Sequence, residues 1–227
     1  MRVLVVAATE AEISPFVSEL GRASVAGPRV TRYQDQGVGH DIDVLISGVG
    51  MVATAAWCSR VLSAERFDVA LNLGVCGSFR PEIFPGAVVH VVSERLAELG
   101  AEDGDKFLSI QEMKLLGADE FPFTGGRLVN ASPPVLRTLP SMRAVSGITV
   151  NTVHGDGESI ARVRERFDPD VETMEGAAFM YACLIHGVPF AQVRAVSNMV
   201  ERRNRAAWKL NEAIANLGTV ACQILEP

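Results

Sequence analysis

Val44-Leu45-Ile46, then Ser47-Gly48-Val49-Gly50, then Met51–Leu62 read in order as a strand-length apolar run, a glycine turn, and a helix-length stretch without Gly or Pro. The same alternation runs through the chain. Val3–Ala8, Val69–Leu73, Val88–Val92, Gly147–Val150 and Phe190–Val196 are short, apolar and bounded by Gly, Pro or Ser, as strands buried on both faces are. Two further helices are expected. Glu175–His186 sets Ala178, Tyr181 and Ile185 on one face and stops before Gly187 and Pro189. Arg205–Leu225 aligns Trp208, Ile214, Leu217, Val220, Ala221 and Ile224 in one stripe. Strands alternating with helices predict a three-layer α/β/α architecture. Residues 94–127 break the rhythm with charge and glycine (Glu102-Asp103-Gly104-Asp105, later Phe121-Pro122-Phe123), so they read as an excursion from the sheet. A single domain over residues 1–227 is the expectation.

Composition narrows the function. The 227 residues carry 21 Lys+Arg against 27 Asp+Glu, a net charge of −6 with no basic block, which argues against nucleic acid or an anionic membrane as partner. Apolar residues make up 48%, enough to build a core and to exclude disorder. No run approaches the roughly 18 apolar residues of a membrane helix. Val3–Ala8 is too short for a secretory leader and is followed at once by Glu10 and Glu12, so a cytoplasmic protein is expected. Cys58, Cys76, Cys183 and Cys222 form no CxxC pair, and His40, His90, His154 and His186 form no HxH or HxxxH. Neither a disulfide framework, a metal site nor a cofactor is expected.

Five clusters could carry chemistry. Gly48-Val49-Gly50-Met51-Val52-Ala53 fits G-x-G-x-x-A, but the next strand ends in Asn72-Leu73-Gly74 without the acid a dinucleotide site needs, so a tight strand-to-helix turn is the better reading. Gly74-Val75-Cys76-Gly77-Ser78 ends the following strand, and two glycine loops at strand ends suggest one crevice where a ligand meets backbone. Cys76 has no neighbouring base to activate it and reads as a packed thiol. Thr9-Glu10-Ala11-Glu12 has, by pattern alone, the look of a solvated first turn. Thr173-Met174-Glu175-Gly176-Ala177-Ala178 opens a helix on small residues that pack closely and would hold Glu175 rigidly. Val193-Arg194-Ala195-Val196-Ser197-Asn198 runs a buried strand into polar residues at its C-terminal end, where α/β ligand sites gather.

Taken in order, Ala8–Glu12, Ser47–Gly50, Asn72–Gly77, Met174–Ala178 and Val188–Asn198 resemble the purine nucleoside phosphorylase and nucleosidase superfamily, near the methylthioadenosine/S-adenosylhomocysteine nucleosidases. The resemblance implies a central mixed twisted sheet, a small nucleoside as substrate and assembly as a homo-oligomer. It implies that Glu12 activates the attacking water, that Met174 and Glu175 hold the ribose, and that Gly74, Val75 and Cys76 line the pocket. Arg194 would be a structural ion-pair partner. Phosphorylases of this superfamily hold phosphate with arginines near the first strand and in the second glycine loop, where this chain has Glu10, Glu12, Val75 and Cys76. Water is therefore the expected acceptor. Asn198 stands where the nucleosidase pattern has Asp, and Ser197–Asn204, together with Val150–Gly155, resembles the futalosine hydrolase family. That resemblance implies hydrolysis of futalosine to hypoxanthine and dehypoxanthine futalosine, in the futalosine route to menaquinone. Asn198 would bind the 6-oxopurine through an NH₂ group serving N7 and O6, with Thr152 and Val153 near the base and Trp208 near the 5′ substituent. Phe121 and Phe123 are candidates for lending a side chain to a neighbouring subunit.

Overall fold

The computed structural model describes residues 1–34 and 39–226. The first half holds β1 (Arg2–Ala7), α1 (Glu10–Ser18), β2 (Arg22–Gly27), β3 (Val30–Gln34), β4 (Asp41–Ile46), α2 (Met51–Ala64), β5 (Val69–Ser78) and β6 (Val88–Leu96). A separate hairpin, β7 (Gly100–Asp103) with β8 (Lys106–Ser109), is followed by the short β9 (Phe123–Thr124) and β10 (Arg127–Val129). The remainder is β11 (Ala144–Thr149), α3 (Gly157–Phe167), β12 (Val171–Thr173), α4 (Gly176–His186), β13 (Phe190–Met199) and α5 (Leu210–Leu225).

The main sheet is mixed. β1 lies parallel between β4 and β5, while β13 runs parallel to β5 and antiparallel to β6. Because β12 joins β5 to β11 and β11 joins β6, the strands β5, β12, β11, β6 and β13 close into a ring. The alternation of side chains along a strand decides the layers. Val3, Val5 and Ala7 of β1 pack with Ile13 and Phe16 of α1 and with Leu217 of α5. Leu4 and Val6 point to the other face, into a cluster with Cys58 and Val61 of α2 and Phe179 of α4. Each such fully buried aliphatic side chain contributes about 1.5–3 kcal/mol, so a two-faced strand of this kind anchors both outer layers.

Several elements differ from the sequence reading, each for a physical reason. The acids Glu10 and Glu12 begin a true helix, although Pro15 lies inside it. Proline removes one backbone donor, and the Ser14 hydroxyl donates to the Ala11 carbonyl that Pro15 cannot serve (3.3 Å). The last helix starts at Leu210, not at Arg205: Arg205–Ala207 is a separate 3₁₀ turn, and Lys209 N–H donates to the Ser197 carbonyl (2.8 Å), which breaks the helical ladder there. The excursion is shorter than 94–127. β6 continues to Leu96, and the chain rejoins the sheet at Phe123 and β10, where Leu128 pairs with Glu94.

Glu94 explains why charge misleads there. Its side chain is fully buried and accepts from Gln192 Nε2 (2.8 Å), Thr149 Oγ1 (2.9 Å) and Thr173 Oγ1 (3.3 Å). It sits in a slot that a methyl group on either Gly147 or Gly176 would fill. The two threonines in turn accept the Ala177 and Gly176 N–H groups, so Glu94 fixes the start of α4. Burial pushes its carboxyl up to about 7, from an ordinary value of 4.5. The native state then binds more protons than the unfolded chain between those two values, so this stabilisation is present below pH 4.5 and is lost as pH rises through 7. That shift corresponds to about 3 kcal/mol. Glu94→Gln is expected to flatten the pH dependence of unfolding between pH 5 and 8, measured by urea titration at several pH values. An unchanged slope would show that Glu94 is not the titrating group.

Candidate active site

Glu12 is positioned by the helix start it belongs to. Thr9, in extended conformation, precedes the first turn of α1, and Glu12 Oε2 accepts from both its N–H and its hydroxyl (3.0 Å each). Oε1 reaches across to β5 and accepts the Val75 N–H (3.2 Å). Three acceptor positions of the carboxylate are thereby occupied and one, on Oε1, is left for a further donor.

Glu175 faces the same crevice from the residue before α4. It is 5% exposed, and its Oε1 accepts the Gly50 N–H (2.9 Å). Gly50 has φ +94°, a backbone region open to glycine, which turns its N–H toward the carboxylate instead of into α2. The glycine turn therefore holds a side chain of this chain. Arg194 of β13 lies between the two acids: Nη1 is 3.8 Å from Glu175 Oε2, and Nη2 donates to Asn72 Oδ1. A side chain at Gly74 would drive into both Arg194 Nη1 and Glu12 Oε1, so this second glycine is required by close approach. Arg194 is 1% exposed and serves as the expected internal ion-pair partner. Met174, between β12 and α4, is half-buried beside Glu175. Cys76 packs its thiol into the core, where burial pushes it up to about 12, so only its backbone can serve a ligand.

Two residues beyond Val75 along β5, a cavity of about 60 Å³ is lined in part by Gly77, Val153, His154, Glu172, Asn198 and Trp208. A β-bulge at Ser197 sets Asn198 opposite Gly77. Asn198 Nδ2 donates to the Met199 carbonyl (2.9 Å), and Oδ1 accepts from the Ser197 hydroxyl (2.8 Å). A carbonyl only accepts, so this pair fixes the amide orientation and engages one of its two hydrogens. In this structure the NH₂ group therefore keeps one N–H for a base. Trp208 joins this same cavity, flanked by Arg203 and Arg205 at 5.5 and 5.9 Å from its ring centre. Thr152 is exposed and its N–H donates to Glu98 (3.3 Å), which places it outside the lining residues. Phe123 is buried against Tyr181, which leaves the exposed Phe121 as the lendable aromatic of that pair.

The sequence reading missed Glu172. This residue is 3% exposed, accepts the His154 N–H on Oε1 (3.0 Å) and meets His154 Nδ1 with Oε2. Eighteen positions separate the two, and the parallel pairing of β11 with β12, Ile148 opposite Glu172, brings the segment after β11 that carries His154 to Glu172.

Known proteins place the chain. A family model described as "Phosphorylase superfamily" matches residues 2–226. Futalosine hydrolase of Streptomyces coelicolor is 34% identical over 181 residues, covering 77% of this chain and 74% of that protein. The native structure of Helicobacter pylori futalosine hydrolase superposes with TM-score 0.80 at 13% identity, covering 99% of this chain and 97% of the other. A Neisseria meningitidis 5′-methylthioadenosine/S-adenosylhomocysteine nucleosidase, in complex with methylthio-immucillin-A, gives the same TM-score of 0.80 at 20% identity, covering 99% and 98%.

Proposed function

The chain belongs to the phosphorylase superfamily as an N-glycosyl hydrolase, and we propose that its substrate is futalosine, cleaved to hypoxanthine and dehypoxanthine futalosine in the futalosine route to menaquinone. The observation that carries the reaction class is the pair of fixed carboxylates, Glu12 and Glu175, on either side of a buried Arg194. Cleavage of an N-glycosidic bond builds positive charge on the sugar, and preorganised carboxylates are worth most at that moment. Glu12 takes a proton from water through the open position on Oε1. Glu175 accepts the 2′- and 3′-hydroxyls of the ribose, with Met174 packed on the sugar. Gly74, Val75 and the Cys76 backbone form the floor. The step from the Glu12 contact at Val75 to the Asn198 contact at Gly77 is two residues of extended strand, about 7 Å, the scale of one nucleoside.

The base choice rests on Asn198. Its free N–H suits an acceptor such as O6 of hypoxanthine and is mismatched with the amino group of adenine, at a cost of about 1–3 kcal/mol for an unsatisfied buried group. Asn198→Asp is expected to lower kcat/KM on futalosine and raise it on the 6-amino analogue. A ratio of the two that does not move toward the amino base would remove Asn198 from base selection. Val153 lies against the base and Trp208 against the 5′ substituent; the enzyme works in the cytoplasm as a homo-oligomer and needs no cofactor.

The decisive assay incubates the protein with futalosine, inosine and methylthioadenosine in phosphate-free buffer and measures released base. Hypoxanthine from futalosine without phosphate is the expected result. Arg29, whose Nη1 donates to the Ile46 carbonyl (3.3 Å) beside the Gly48 turn, makes phosphorolysis the competing reaction to test. Product that forms only with phosphate present would establish that competitor, and adenine release as the main activity would move the enzyme to the methylthioadenosine branch.

A further inference from the structure

We propose that His154, oriented by Glu172, is the acid that protonates N7 of the departing base; this deepens the nucleosidase reading above and rests on it. The need comes from counting donors. The relevant edge of a 6-oxopurine presents two acceptors, N7 and O6, and Asn198 has one N–H left after the Met199 carbonyl takes the other. A second donor is required, and His154 lines the same cavity.

The geometry makes His154 suitable. Glu172 can only accept, so the His154 Nδ1 facing it carries the hydrogen, and Nε2 has no partner among the described residues. A buried carboxylate on Nδ1 fixes the ring's orientation and leaves Nε2 as the nitrogen that meets the base; acting as the acid, the ring carries a hydrogen on each nitrogen and gives the one on Nε2. The strand ladder brings the parts together: Gly77 of β5 has Glu172 across from it on one side and Asn198 on the other, with no side chain of its own between them. The other charged groups on the two cavities that His154 lines are Glu201 and Arg203 on this one, and Glu98, Glu102, Asp105, Lys106, Arg162 and Arg166 on a wider cavity of about 710 Å³ under the β7–β8 hairpin. Glu12 meets β5 at Val75, and Glu172 meets it at Gly77, so the base and the acid of the reaction are set two residues apart along one strand.

In the step itself the C1′–N9 bond breaks and its electron pair goes to the base. N7 takes the proton from His154 Nε2 while water oxygen bonds to C1′ and its proton goes to Glu12. Hypoxanthine leaves neutral, and one proton returns from Glu12 to His154 through solvent, which restores the enzyme.

The test uses a leaving group that needs no proton. Futalosine methylated at N7 already carries positive charge on the base. His154→Ala is expected to slow hypoxanthine release from futalosine by roughly 10²–10⁴-fold, the usual worth of a positioned acid. The same variant should release 7-methylhypoxanthine from the methylated substrate at the wild-type rate or faster, which also shows that it folds. Glu172→Gln, which keeps the shape of the carboxylate, should show the same selective loss in smaller measure. Equal losses on both substrates in His154→Ala, or no selective loss in Glu172→Gln, would overturn the assignment. Failure of the substrate reading is distinct from these: the wild-type protein would then release no hypoxanthine from futalosine at all.

Discussion

Glu12→Gln is expected to lower kcat on futalosine by roughly 10²–10⁴-fold, the range for loss of a positioned general base, with substrate binding kept. The amide cannot take the water proton, and its NH₂ cannot replace both carboxylate oxygens as acceptors. One of the Thr9 and Val75 contacts is therefore lost, at about 0.5–2 kcal/mol for a helix-start bond, so a small fall in Tm accompanies the catalytic loss. The two effects are separated by thermal unfolding and steady-state kinetics on the same samples. Glu10, two residues earlier and exposed, supplies the control: Glu10→Gln should leave kcat nearly unchanged. Comparable losses from both variants, or none from Glu12→Gln, would return the pair to ordinary first-turn acids.

Glu175→Ala is the second large effect. Hydrogen bonds to a charged acceptor contribute about 1.5–3 kcal/mol each, so losing two ribose contacts should reduce kcat/KM by roughly 10²–10⁴-fold. The variant also leaves the Arg194 guanidinium, 1% exposed, with one counter-ion fewer. Glu175→Gln keeps the Gly50 contact and the side-chain volume, and its loss isolates the charge from the packing. A 2′-deoxy substrate should suffer on the wild type and lose little further on Glu175→Ala. Equal wild-type rates on ribo- and deoxyribonucleosides would remove Glu175 from the sugar.

What could be read from the sequence follows from what is local. The two-faced strand at Val3–Ala7 declares itself by composition, and α2 by the glycines before it. α3 gives a weaker signal because its outer face is rich in Arg and Glu; its marks are Asp156 as N-cap and Ile160, Val163 and Phe167 at helical spacing. The polar hairpin of β2 and β3 and the three-residue β12 have too few buried positions to produce a period. Within the site, Glu12, Glu175 and Asn198 were reached through resemblance; their bonds to Val75, Gly50 and Met199 were not, because two of those three span 63 and 125 residues. Glu172 has no sequence signal, and His154 has only its place in the Val150–Gly155 stretch.

The slot around Glu94 limits how this protein can diverge. A methyl group at Gly147 or Gly176 needs the volume that the carboxylate occupies, so either change alone displaces the network that begins α4. A smaller residue at position 94 would clear that space. The three positions are therefore expected to be epistatic, with combined substitutions that deviate from the sum of the single ones. Lineages that alter one of them can reach the neighbouring solutions only in a particular order of steps, and a survey of single variants would score each glycine as indispensable when the requirement belongs to the set.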